Sequence, residues 1–188
     1  MIRCYITDRR ALRGEPLLDS IARNLQAGIE WIQIREKDLE SRALYELVLA
    51  AKSLPNPHGS KFIVNSRVDV ALAAGADGVH FPSGSPEPRR WRGIVPPGFL
   101  IGASCHSIEE LTQAEREGAT YAVYGPVFAP RSKASSTPPM GIEGLAIAAQ
   151  SVRIPVLALG GITRESVDAC IRAGAAGISG ISLFLEPA

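Results

Sequence analysis

No apolar run in the 188-residue sequence reaches the roughly 18 residues that a membrane-spanning helix needs. No block of five like charges occurs, and 20 Lys and Arg stand against 19 Asp and Glu, a formal net charge of +1. That balance excludes a general nucleic-acid binder. Aromatic residues are sparse at 6%, and Trp31, Trp91 and the scattered Phe and Tyr form no stacking row for bases. Cysteine is limited to Cys4, Cys105 and Cys170, an odd number without metal-ligand spacing, which excludes a disulfide scaffold and predicts reduced thiols in the cytoplasm. The N-terminal MIRCYITDRR enters a strand-like run at once and lacks the long apolar stretch of a signal peptide. Hydrophobic residues make up 46% and charged residues 21%, as in an ordinary globular domain. A chain of this length can bury roughly 70% of its unfolded surface in one core, so residues 1–188 are read as a single domain.

What the sequence does contain is a repeated join between helix and strand. In LQAGIEWIQIRE, LAAGADGVHF, EREGATYAVYGP and IRAGAAGISGIS, an amphipathic or Ala-rich run ends at Gly28, Gly75, Gly118 or Gly174, and a short β-prone run follows. Glycine suits the left-handed position that closes a helix, because it has no Cβ to clash. Four further strand candidates lie between these joins. The predicted strands are Ile2–Thr7, Trp31–Arg35, Lys61–Asn65, Gly78–Phe81, Phe99–Ser104, Tyr121–Tyr124, Pro155–Leu159 and Gly177–Ile181. The predicted helices are Leu17–Ala27, Ser41–Ser53, Arg67–Ala74, Ile108–Glu117, Glu143–Ser151 and Arg164–Ala173, with room for only a short helical turn in Glu87–Gly93. Strict alternation of short apolar strands and helices argues a parallel sheet, and eight units argue a closed (β/α)₈ TIM barrel. The competitor, a doubly wound open sheet, would carry a glycine fingerprint after its first strand, where none stands.

The sequence stops at LFLEPA, directly after the eighth strand, so the eighth helix is truncated or missing. The flank between the first and seventh helices is then expected to present apolar surface and to be covered in a two-fold homodimer. The alternative is a stub that folds back over the gap with Phe184 as a plug.

Barrel active sites sit at the C-terminal ends of the strands. The polar residues there are Gln33, Arg35 and Lys37; Asn65 and Ser66; His80; Ser104 and His106; Arg131, Ser132 and Lys133; Gly160 and Gly161; and Ser182. The carboxylates are Asp8, Glu36 and Asp38. A rim this basic suits an anionic, phosphorylated ligand. In LALGGITRESV a strand ends in Gly160-Gly161 and a helix opens at Thr163, a good N-cap. Bare N–H groups there can meet a phosphate, although the glycines can equally serve a tight turn. In WIQIREKD, Gln33, Arg35 and Lys37 share one face and Ile32 and Ile34 the other. Ser104 and His106 likewise share a face that excludes Cys105, so a Cys105–His106 dyad is not expected. Imidazole as a group can exchange a proton near neutral pH, so His106 is the expected proton shuttle. His80 is expected to pack or cap.

These segments together, QIREK, NSRVDVALAAGADGVHF, IGASCHS, GATYAVYGPVFAPRSK, IPVLALGGI and GAAGISGIS, resemble the successive motifs of the thiamine phosphate synthase family and its thiazole tautomerase (TenI) branch. The resemblance runs over nearly the whole chain and implies a (β/α)₈ barrel. It implies that Gln33, Arg35, Lys37, Asn65 and Lys133 bind pyrophosphate. Gly160, Gly161, Ile181 and Ser182 would bind the thiazole phosphate, with Ser104 and Ser132 near the reacting groups. The synthase joins a pyrimidine methyl pyrophosphate to a thiazole phosphate and releases pyrophosphate. Its usual Mg²⁺-binding aspartates are replaced here by Ser66 and by Pro82-Ser83-Gly84-Ser85, and a Thr of the sixth loop is lost at Ala129-Pro130. The tautomerase branch uses no metal and places a His at the His106 position. The motifs thus imply a metal-independent thiazole tautomerase without cofactor, a divergent synthase using Mg²⁺, or a non-catalytic phosphate-ligand binder.

Overall fold

A computed structural model describes residues 1–129 and 138–185. Eight parallel strands close into a barrel in sequence order. They are β1 (Ile2–Ile6), β2 (Trp31–Ile34), β3 (Lys61–Asn65), β4 (Gly78–Phe81), β5 (Leu100–Cys105), β6 (Tyr121–Tyr124), β7 (Val156–Leu159) and β8 (Gly177–Gly180). The helices are α1 (Leu17–Gln26), α2 (Ser41–Lys52), α3 (Val68–Ala73), α4 (Ile108–Arg116), α5 (Gly141–Ser151) and α6 (Arg164–Arg172). The ring closes because β8 pairs with β1 in register from Ile2↔Gly177 to Tyr5↔Gly180. The open-sheet alternative is thereby eliminated. The four joining glycines have φ of +69°, +62°, +86° and +97°, the left-handed geometry expected of helix ends. Among the described residues, no helix is long and apolar enough to cross a membrane.

Strand alternation divides the core in two. Outward residues such as Tyr5, Ile32, Ile34, Val64, Val79, Ile101 and Ala122 pack against the helices. Inward residues Cys4, Ile6, Trp31, Ile63, Tyr121, Val123 and Leu157 fill the barrel. The three thiols are free and buried. Burial pushes those of Cys4 and Cys105 up to about 12, so neither is a nucleophile at neutral pH. Cys105 lies in the outer layer, away from the mouth, as alternation requires.

Among the described residues, β4 and β8 are each followed by a 3-10 turn and no α-helix. Between β4 and β5 there is one 3-10 turn, Pro88–Arg90, and Trp91 stacks on Phe81 at 5.8 Å to cover the strand. After β8 comes a 3-10 turn, Ser182–Phe184. Phe184 is buried, 5.9 Å from the ring of Tyr5. Arg23 and the buried Asn24 of α1 donate to the Phe184 carbonyl at 3.2 Å each, and Arg23 also donates to that of Leu185. The flank expected to need a partner is therefore covered within the chain by the Phe184 plug, and the dimer loses that argument. Removing a buried ring of this kind costs about 3–5 kcal/mol. Phe184→Ala should lower stability by that amount in urea unfolding. A loss below about 1 kcal/mol, the scale of a surface substitution, would show that the ring does not close the flank.

Candidate active site

Strand parity carries Gln33 into the barrel interior, where it is 1% exposed, with Arg35 following on the same side at the rim. Ile32 and Ile34 point the other way, as predicted. Gln33 Nε2 has no hydrogen-bond partner among the described residues. Opposite, β4 turns His80 inward. Its Nδ1 lies 3.1 Å from Tyr121 Oη and its Nε2 2.8 Å from Ser104 Oγ. Gly102 makes this possible, because a Cβ there would lie 2.1 Å from Tyr121 Cζ. Burial, reinforced by the charge of Arg35, pushes the His80 imidazole down to about 3. His80 is therefore neutral at neutral pH and serves as a fixed polar link between the Tyr121 phenol and the Ser104 hydroxyl.

His106 is exposed at the rim after β5. Its Nδ1 lies 2.6 Å from the carbonyl oxygen of Gly125, and a carbonyl only accepts, so Nδ1 carries the hydrogen. In the neutral ring Nε2 is then the basic nitrogen. The His106 main-chain N–H donates to Glu110 Oε2 at 2.6 Å, and Ser83 Oγ donates to Glu110 Oε1 at 3.1 Å. Glu110 thus ties the loops after β4 and β5 together beneath the imidazole.

On the far side, β7 ends at Gly160 and Gly161, with φ of +97° and +62°. A Cβ at Gly160 would lie 2.7 Å from Pro126, and one at Gly161 2.5 Å from the Ala129 carbonyl oxygen. Close packing on the sixth loop is thus sufficient reason for both glycines. The main-chain N–H groups of Gly161 and Ser182 nevertheless donate to no carbonyl among the described residues. They stand at the ends of adjacent strands, with Ile181 between Ser182 and β8 and packed against the inner cluster. Thr163 forms a capping box with Ser166 at the start of α6. Ser132 and Lys133, with Arg131, lie outside the described residues.

The rim's charges are sorted by a cluster between the first two loops. Glu36, 5% exposed, accepts from Thr7 Oγ1 at 2.8 Å and Arg9 Nη1 at 2.9 Å. Arg9 also donates to both oxygens of Asp38, and that contact holds the Asp38 carboxyl below its usual range. Asp8 caps the 3-10 turn Arg9–Ala11 by accepting from the Arg10 N–H. The three carboxylates legible at the rim are thus engaged locally, while Arg35 and Lys37 have no carboxylate partner among the described residues. A cavity of about 320 Å³ opens beside β2, lined by Glu36, Lys37, Asn65, Ser66 and Arg67 and by the outward Ile34. A second, of about 370 Å³, runs beside Ser104 along α4 into the helix-free crossover.

A family profile described as thiamine monophosphate synthase, TMP-TENI, matches residues 4–184. The chain belongs to this family. It is 42% identical to the thiamine-phosphate synthase of Chlorobium luteolum, with 96% of this chain and 84% of that protein aligned. Identity to the thiamine-phosphate synthase of Methanoculleus marisnigri is 41%, over 94% of this chain and 84% of that protein. The solved thiamine phosphate pyrophosphorylase from Pyrococcus furiosus superposes with a TM-score of 0.85 at 36% identity, covering 96% of this chain and 85% of that one.

Within the TMP-TENI family Mg²⁺ is implied, and the residues at the expected place do not fit it. The ion wants carboxylate oxygens. The end of β3 offers Asn65 and Ser66, and Ser66 sits at φ +65° with its N–H donated to the His80 carbonyl. The loop after β4 offers Ser83 and Ser85. Asp69 is paired with Arg67, and Glu110 already accepts two hydrogen bonds. Among the described residues no three of His, Cys, Asp and Glu converge.

Sequence reasoning missed Tyr121, Thr7 and Arg9. Tyr121 was accessible through parity, since it shares the inward face of YAVY with Val123. The link from Thr7 and Arg9 to Glu36 had no local signal.

The buried neutral His80 makes stability pH-dependent. Its folded value lies near 3 and an unfolded histidine near 6.5, so the unfolded chain binds the extra proton between those values. Stability is then fully present above about pH 6.5 and falls toward pH 3, by up to ~1.4 kcal/mol per pH unit for one proton. Urea unfolding of His80→Gln should show a shallower acid dependence than the parent. Parallel curves would place His80 in a hydrated site.

Proposed function

We propose that this member of the thiamine monophosphate synthase family is a metal-independent thiazole phosphate tautomerase, with a small phosphorylated carboxythiazole as substrate. One observation carries the reading: the Gly125 carbonyl fixes the His106 tautomer and leaves Nε2 as the base. A tautomerisation that aromatises a ring takes one proton from a tetrahedral ring carbon and returns it to another carbon, so one base serves both steps. The Gly161 and Ser182 N–H groups offer an anion cup for the phosphate, where backbone dipoles favour negative charge. Arg35 and Lys37 are left for a second anionic group. Ser104, held by His80, orients the ring. No step needs a cofactor or a divalent ion.

The second reading is a divergent synthase that takes a pyrimidine pyrophosphate. The names of the relatives favour it, and so does the inward row of Gln33 and Arg35 beside Asn65. Developing charge on a leaving pyrophosphate would then fall to Arg35, Lys37 and Lys133, which have to act where Mg²⁺ normally helps.

Supplying the carboxythiazole phosphate, or the pyrimidine pyrophosphate with thiazole phosphate, each with Mg²⁺ and with EDTA, tests both readings. The expected outcome is tautomerisation that survives EDTA. Mg²⁺-dependent pyrophosphate release without tautomerisation would replace this reading with the synthase, and tight binding without turnover would make the protein a phosphate-ligand binder. His106→Asn should lose about 10²- to 10⁴-fold in rate, the range for general acid–base groups, with ligand binding retained. An unchanged rate in that variant would remove His106 from the mechanism.

A further inference from the structure

We infer that Thr7, Glu36 and Arg9 form a positioning clamp that sets the anion-binding strength of Arg35 and Lys37. The inference rests on the proposal that those two cations hold an anionic group of the ligand. Main-chain pairing of β1 with β2 ends at Ile6↔Gln33, and the Thr7 N–H then donates to the Gln33 carbonyl. At the next step, the Arg35 amide donates to Thr7 Oγ1 at 3.0 Å. A hydroxyl that accepts there must send its own hydrogen elsewhere, and it sends it to Glu36 Oε1 at 2.8 Å. Thr7 is fully buried, so this hydroxyl has one arrangement. The side-chain bond replaces the sheet at the residue where the strand would otherwise fray, and it fixes the backbone from which Arg35 and Lys37 project.

The same cluster sets the charge. An unpaired carboxylate next to Arg35 in sequence, although on the opposite face of the strand, would still weaken the positive field of the loop through space. Here Glu36 is instead taken by Arg9, through Nη1 at 2.9 Å and through the Arg9 N–H at 3.2 and 3.3 Å to its two oxygens. Asp38 is held by Arg9 and Arg10. Arg9, 36% exposed, thus neutralises both acids of the second loop. The cations that flank them in REKD face the ligand uncompensated, at the end of the barrel where this chain has serines in place of metal-binding carboxylates.

Calorimetric titration of inorganic pyrophosphate, without metal, into Thr7→Val, Thr7→Ser, Arg9→Gln and Arg35→Gln tests this, with the thermal midpoint of each recorded. Thr7→Val should weaken binding at least 10-fold, and Thr7→Ser, which keeps the hydroxyl, should stay within about 2-fold of the parent. Arg9→Gln removes the charge from a side chain that is 36% exposed. It should weaken binding at least 5-fold, because two acids are freed beside Arg35 and Lys37. Parent-like affinity in Arg9→Gln and Thr7→Val, with or without a lowered thermal midpoint, overturns the clamp, as does equal weakening by Thr7→Ser and Thr7→Val. Arg35→Gln separates the two levels: if it binds like the parent, the anion-site reading fails, whereas weakened binding in Arg35→Gln alone leaves that site standing and rejects the clamp.

Discussion

The ring of Tyr121 lies where Gly102 has no side chain, and the polar half of the barrel depends on that contact. The phenol ring packs edge-on to Trp31 at 4.7 Å, and its hydroxyl reaches His80 Nδ1. Four strands therefore meet through one ring: Trp31 from β2, His80 from β4, Gly102 from β5 and Tyr121 from β6. Close packing beneath holds the buried His80 in one orientation, so its second nitrogen is presented to Ser104 in a fixed direction. An apolar floor thus orients a polar mouth, and the cost of burying an imidazole is offset by bonds at both ring nitrogens.

Above that floor the two histidines are divided by solvent. His80 is buried and held neutral, which suits it to orient a hydroxyl. His106 is exposed and held at one nitrogen only, which suits it to exchange a proton. Both assignments follow from hydrogen-bond partners: a carbonyl at Gly125 fixes one tautomer, while a phenol and a hydroxyl flank the other ring. The mouth is also basic. The carboxylates of its first two loops are bound to Arg9 and Arg10 or spent in capping, so the field from Arg35 and Lys37 is not cancelled within the loop that carries them.

The family relationship and the departures from it carry different information. Identity above 40% over nearly the whole chain accounts for the barrel. Where the resemblance implies metal-binding carboxylates, the ends of β3 and β4 carry Ser66 and the Ser83–Ser85 segment, and a hydroxyl is a poor partner for a hard divalent ion.

The sequence by itself determined the barrel, because each strand–helix unit carries local signals: period-two apolar strands, helical periodicity and a glycine at each join. Boundaries fall within about two residues of those expected, as at α5, which begins at Gly141 instead of Glu143, and β5, which runs to Cys105 instead of Ser104. Parity placed Gln33 and Arg35 on one face and separated Cys105 from His106, and the limited room in Glu87–Gly93 gave the short turn in the fourth crossover. Tertiary structure decided the rest, because the partners are far apart in sequence and no spacing encodes them. Arg9 meets Glu36 27 residues away, and His80 meets Tyr121 across 41. Asn24 holds the Phe184 carbonyl across 160 residues, covering a flank that local reading leaves open. Which carboxylates are neutralised, which histidine is dry and which edge is sealed are properties of the closed ring. They arise because closure brings the first and last strands together and turns alternate side chains into one shared interior.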